Sequence, residues 1–122
     1  MNINKDRRGR DECLNGFIEL MMGILRNDPN SWPFLDPVSA KDIPEYYEII
    51  KSPMDLSKIR EKFRNNIYKS LDLFISDVHL MLNNCFKFNA RETQYYRCAE
   101  VLFTLFEEKL KFYENSIKYW EF

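Results

Sequence analysis

Glycine is scarce in this chain, with three in 122 residues, and proline is limited to five. An all-β domain needs many turns, so this composition points away from sheet. Three glycines also cannot readily build a phosphate-cradling loop, and neither GxGxxG nor GxxxxGK[ST] occurs. No GxSxG elbow marks a nucleophilic serine. Histidine occurs once, as His79. Asp77 precedes it by two positions within a helical stretch, and residues at that spacing do not share a helix face. His79 therefore reads as a partly exposed helix residue. Cys13, Cys85 and Cys98 show no CxxC spacing. A structural zinc site needs about four close ligands, so these read as reduced thiols, at least two of them packed as small apolar groups. No apolar run approaches the ~20 residues of a membrane span, and residues 1–10 contain no signal-peptide apolar region. Basic and acidic residues nearly balance, 18 against 19, which gives no broad basic footprint for nucleic acid. The acidic residues are better explained as solvated helix faces than as a catalytic pair.

What the chain does have is apolar mass: 45% of residues are hydrophobic and 16% aromatic. At this length one domain is expected. Residues 1–10 read as a charged, flexible lead, 11–118 as a single bundle and 119–122 as a tail. From 11 to 26, Leu14, Phe17, Ile18, Met21 and Leu25 fall at helical spacing, and Pro29 stops that helix. Asp55 reads as the cap of a short helix carrying Leu56, Ile59 and Phe63 and ending near 64–66. Ser70 caps a third helix striped by Leu71, Phe74, Val78, Met81 or Leu82, and Cys85, apolar over so wide an arc that it should be the most buried. The last helix starts near Thr93, with Tyr96, Ala99, Phe103, Phe106, Leu110 and Tyr113 in steps of three and four, and continues as far as Tyr119. No segment shows the strand period. The expected fold is all-α: four helices with a long ordered loop between the first two.

That loop, 31–53, holds Pro33, Pro37, Pro44 and Pro53 together with Trp32, Phe34, Leu35, Val38, Ile43, Tyr46, Tyr47, Ile49 and Ile50. Prolines forbid a continuous helix, and the apolar load forbids a solvated linker. Loops this long inside a domain are usually functional, although the spacing leaves open a loop that only plugs one end of a bundle. An up-down-up-down chain brings the first connection and the third, 89–93, to the same end. Asn89 sits in that third connection with Phe86 and Phe88 before it and Tyr95 and Tyr96 after it. The topology thus predicts a cleft with apolar walls from Trp32, Pro33, Phe34, Val38 and Ile43, polar points at Tyr46 and Asn89, and Tyr95 beside the mouth. Tyr96 fits the last helix's core stripe better than Tyr95 does.

These residues resemble a bromodomain. Trp32-Pro33-Phe34 is similar to the family's shelf, 44–56 (PEYYEIIKSPMDL) to its loop-to-helix signature, and Asn84-Cys85-Phe86-Lys87-Phe88-Asn89 to the segment that ends in its acetyl-lysine-binding asparagine. The resemblance covers about residues 11–110, and 89–99 is most similar to bromodomains of histone acetyltransferases and nucleosome-remodelling subunits. It implies a left-handed four-helix bundle with an acetyl-lysine pocket at one end and no catalysis. Asn89 would donate to the acetyl oxygen and Tyr46 would reach it through a water. Val38, Ile43 and Phe34 would line the wall, Trp32 and Pro33 would form the shelf, Tyr95 would guard the mouth, and Cys85 and Phe88 would line a secondary pocket. Two departures stand out. Phe88 occupies a position where the family more often has tyrosine, and Ala90-Arg91 replaces prolines, so Arg91 is expected to put positive charge near the rim and disfavour strongly basic flanks.

The resemblance further implies a monomeric, nuclear reader of acetylated histone or other acetyl-lysine peptides, one module of a larger chromatin-associated protein. It implies no cofactor, no metal, no direct nucleic-acid contact and no membrane partner. The other reading is a helical protein–protein interaction module whose pocket has changed or lost its ligand. A charged lysine buried unpaired among Phe34, Val38 and Ile43 would cost several kcal/mol. One neutral hydrogen bond nets only ~0.5–1.5 kcal/mol. Selectivity for the acetylated form would therefore come mostly from excluding the charge, with Asn89 setting orientation.

Overall fold

The computed structural model describes residues 3–117, and every regular element among them is helical, so the chain is an all-α bundle. Helix α1 runs Ile3–Asn27. It begins well ahead of the expected start at Asp11, because the charged lead holds no proline and its lysine and arginines are good helix formers. The 119–122 tail and Tyr119 lie outside the described residues. Phe17, Ile18, Met21 and Leu25 form the buried stripe of α1.

The long loop is ordered, as expected, and contains two short helical pieces that the proline count had hidden. Pro29–Phe34 forms a 3-10 turn capped by the Asp28 carboxylate, which accepts from the Asn30 N–H at 2.8 Å. Helix α2 (Pro44–Ile49) starts on Pro44, since the first turn of a helix has no use for the missing N–H. Proline here punctuates helices and does not exclude them.

Helix α3 (Leu56–Arg64) is capped by Asp55, whose carboxylate accepts from the N–H groups of Ser57 at 2.9 Å and Lys58 at 3.2 Å. Asn66, with φ of 59°, turns the chain toward α4, in the left-handed region that asparagine tolerates. Helix α4 (Leu71–Phe88) is capped by Ser70 and buries Phe74, Asp77, Val78, Met81, Leu82, Asn84 and Cys85. It is the most deeply embedded element, as its wide apolar arc predicts. Helix α5 (Gln94–Ile117) follows Thr93, whose hydroxyl accepts from the Tyr96 N–H at 3.2 Å. Ala99, Phe106 and Leu110 are buried as expected, and the stripe departs from expectation at one turn. Leu102 is fully buried, while Phe103 is partly exposed and lies over His79 with ring centroids 5.5 Å apart.

Ring contacts fix the helix directions. Phe74 meets Phe106 at 5.9 Å and Phe86 meets Tyr96 at 4.8 Å, so α4 and α5 are antiparallel. Phe17 stacks on Tyr113 at 3.6 Å, and Trp32, just beyond α1, lies 5.3 Å from Tyr95 at the start of α5, so those helices are antiparallel too. The first and third connections therefore share one end.

Two polar contacts add to the reading of the acidic residues and of His79. Asp77 is buried and accepts from Lys62 Nζ at 2.6 Å and from the Tyr68 hydroxyl at 2.7 Å, tying α3, the following turn and α4 together. His79 Nε2 lies 2.7 Å from Glu107 Oε1, joining α4 to α5. Partly exposed as expected, His79 nonetheless has a defined structural partner.

Candidate functional site

At the shared end of the bundle the long loop and the α4–α5 connection enclose a cavity of about 320 Å³. Its position follows from a few local bonds. The Tyr47 hydroxyl donates to the Val38 carbonyl, which folds the loop back on α2 and sets Val38 at the wall. Asn84, buried in α4, donates from Nδ2 to the Ser52 carbonyl at 2.8 Å and holds the end of the loop against the helix. Asp55, by capping α3, fixes where the loop terminates.

Tyr46 is the most informative wall residue. It is 7% exposed, and its ring meets Phe88 edge-on at 4.9 Å and Tyr47 at 5.3 Å. Its hydroxyl makes no hydrogen bond to the described residues, yet it is not sealed off as a buried unsatisfied group. A phenol that is enclosed by protein but unbonded there opens into the cavity that it lines. Burial, followed by the nearby Cys85, Tyr47 and Asp55, pushes its pKa up to about 12, so it stays protonated at neutral pH.

Asn89 forms the C-cap of α4. Its backbone N–H donates to the Cys85 carbonyl at 3.0 Å, and its side-chain Nδ2 donates to the same carbonyl at 3.1 Å. Among the described residues, the other acceptor at that nitrogen is the soft Cys85 sulfur, 3.4 Å away. One amide hydrogen thus fixes the side chain and the second is spare for a stronger acceptor. Cys85 lies beneath it, 6% exposed, with its thiol toward the Tyr95 carbonyl at 3.3 Å. Burial raises the thiol's pKa to about 11, although the Asn89 contact pulls the other way.

Phe34, Val38, Ile43, Tyr46, Asn89, Tyr95, Pro33, Cys85 and Phe88 all line this one cavity. Trp32 does not. It is 49% exposed, stands outside the cavity and tilts against Tyr95 at 5.3 Å. Phe88, which lacks a hydroxyl, serves as the surface that props Tyr46. Sequence reasoning missed Met81, which had been assigned to the core, although its i, i+4 relation to Cys85 puts both on one face of α4. It also missed Pro53 and Met54, which sit inside a motif already singled out, and the carboxylates Asp36 and Glu45. Arg91 is exposed and is not among the lining residues, whereas the exposed charged residues that do line the cavity, Asp36 and Glu45, are negative. Among the described residues no group of three or more His, Cys, Asp or Glu is arranged to hold a metal ion.

An all-α bundle with an apolar cavity at one end, presenting one amide and one phenol, defines a small-ligand or side-chain binding module with no catalytic constellation. The bromodomain profile matches residues 18–101, and the chain belongs to the bromodomain family. It is 39% identical over 88 residues to nucleosome-remodeling factor subunit NURF301 of Drosophila melanogaster, covering 72% of this chain and 3% of that protein. It is also 39% identical over 95 residues to histone acetyltransferase GCN5 of Debaryomyces hansenii, covering 78% of this chain and 21% of the relative. The chain thus spans a small part of these curated relatives. Among solved structures, the bromodomain of human BAZ1A superposes with a TM-score of 0.76 at 38% identity, over 78% of this chain and 89% of that one.

Proposed function

We propose that this bromodomain reads acetyl-lysine, with acetylated histone tails as its peptide class. The observation that carries the reading is nearly buried Tyr46, whose hydroxyl has no hydrogen-bond partner among the described residues, in the same cavity as the Asn89 amide. An acetyl oxygen is a neutral acceptor that fits this pair. The spare Asn89 hydrogen donates to it, and protonated Tyr46 donates through a bridging water. Phe34, Val38, Ile43 and Met81 surround the alkyl stem and the acetyl methyl. An unmodified ammonium buried among those apolar side chains would lose its hydration, at a cost of several kcal/mol. Asp36 and Glu45 favour lysine and arginine in the peptide beside the acetylated residue, a composition that histone tails supply. The reading includes the left-handed four-helix winding of the family, a monomeric domain, a nuclear location and a larger chromatin-associated parent protein.

Calorimetric titration with paired acetylated and unacetylated histone-tail peptides tests it. The acetylated peptide is expected to bind at about micromolar to millimolar Kd, equivalent to ~ −8 to −4 kcal/mol, and the unacetylated peptide to show no binding. Equal binding of the two forms, or none by either at millimolar concentration, would refute the reader function and leave an interaction module with a changed pocket.

A further inference from the structure

A second groove, of about 560 Å³, lies between the end of α1 and the outer face of α3. Arg26, Arg60 and Arg64 line it, and the same three arginines line an adjoining recess of about 170 Å³, so the two are continuous. Arg60 and Arg64, four residues apart on α3, share a face, and Arg26 approaches from the last turn of α1. The ion pairs among the described residues are Lys62–Asp77 and His79–Glu107, so none of the three guanidiniums is held in an ion pair there, although Asp36, Glu61 and Glu19 share the lining. The floor between them is apolar, from Leu35, Leu56, Met22 and Phe63. Asp36 lines both this groove and the acetyl-lysine cavity, so the two sites adjoin.

Resting on the acetyl-lysine reading, we propose that the arginine groove is a second subsite for the same peptide, taking a phosphorylated serine or threonine near the acetyl-lysine. Guanidinium forks match phosphate oxygens, and a phosphate monoester offers nearly two charges to three guanidiniums that no ion pair holds among the described residues. A nucleic acid fits less well. Asp36, Glu61 and Glu19 also border the groove and its recess, and a polyanion tracking across this face would meet them. A single compact anion needs only the guanidiniums of Arg26, Arg60 and Arg64 within reach.

The test uses a peptide set with acetyl-lysine fixed and phosphoserine placed in turn at each position within about six residues on either side, a reach of roughly 20 Å for extended chain. Matched peptides lack the phosphate, the acetyl group or both. At one or a few adjacent positions phosphate is expected to tighten binding roughly tenfold at low salt, less as salt rises. Arg60→Gln with Arg64→Gln should abolish that gain and leave the affinity for the acetylated, unphosphorylated peptide unchanged. Arg26→Gln provides an independent variant on a different helix, and circular dichroism checks that each variant is folded. If the acetylated peptide binds but no position gains more than about twofold, the groove proposal fails and the reader stands. A gain that survives loss of the arginines also overturns it. If the acetylated peptide does not bind while the phosphorylated one binds through the arginines, the reader reading fails and the anion site remains. A short DNA duplex that binds more tightly than the phosphopeptide in an arginine-dependent way would overturn the choice of ligand.

Discussion

Asn89 and Tyr46 point at the same cavity but stand in opposite relations to the fold. The Asn89 side chain bonds the Cys85 carbonyl and so finishes α4, whereas the Tyr46 hydroxyl bonds nothing among the described residues. Their substitutions should separate accordingly. Asn89→Ala removes both a C-terminal capping bond and the donor that the proposed reading aims at the ligand. It is expected to cost about 1 kcal/mol of stability and to abolish acetyl-peptide binding while the helical spectrum persists. Tyr46→Phe keeps the ring that packs on Phe88 and deletes only the unpartnered hydroxyl. Its thermal midpoint should stay near the parent's, and acetyl-peptide affinity should fall by a factor of about 2 to 12, the worth of one neutral hydrogen bond. Paired melting curves and titrations check both. A Tyr46→Phe protein that melts early but binds normally would assign the hydroxyl to the fold and remove it from the site.

Between elements, the bundle is held by polar contacts that no local spacing announces. Lys62 and Asp77 are 15 residues apart, His79 and Glu107 are 28 apart, and Asn84 and Ser52 are 32 apart. The strongest test is Asp77, which satisfies the Lys62 ammonium and the buried Tyr68 hydroxyl together. Asp77→Ala leaves that hydroxyl unpaired in the core and is expected to destabilise the domain by about 2–4 kcal/mol, measured by urea unfolding. Acetyl-peptide affinity should hardly change, because Asp77 lies toward the other end of α4 from Asn89. The helices themselves were legible. Their stripes reflect a 3.6-residue period, and Asp55, Ser70 and Thr93 act as caps within three residues of the groups they bond. Even there the chain recorded tendencies more clearly than boundaries. Nothing in 3–10 could mark a helix start, since charged residues suit both a solvated helix and a frayed end. The cavity's apolar wall was legible because topology alone brings the two connections together. Its charge was not, because whether Glu45, Asp36 or Arg91 reaches the rim depends on where α2 and the loop settle.

For the molecule as a whole, the apolar site and the stability of the fold draw on the same burial. Cys85 and Tyr46 are core residues that also face the cavity, and removal from water raises both of their pKa values, to about 11 and about 12. Their ordinary values, 9.0 and 10.0, describe the unfolded chain. Between the unfolded and folded values the unfolded chain has released its protons while the native protein still holds them. The unfolded state then binds fewer protons, so stability falls as pH rises. The contribution of Cys85 is complete below pH 9.0 and is lost as pH climbs through about 11, and that of Tyr46 follows from 10.0 to about 12. Urea unfolding followed across this range should therefore show a steady loss of stability beginning near pH 9.0. Cys85→Ala, less stable at neutral pH for want of the packed thiol, should lose less on going from pH 9.0 to about 11, so that the two stability curves converge. Thiol alkylation gives the independent check. Exposed Cys13 should react quickly in native protein, and buried Cys85 and Cys98 only as fast as the bundle opens. A Cys85 that alkylates as readily as Cys13 would mean that the cavity floor is open to solvent, and the dry wall on which charge exclusion depends would be lost with it.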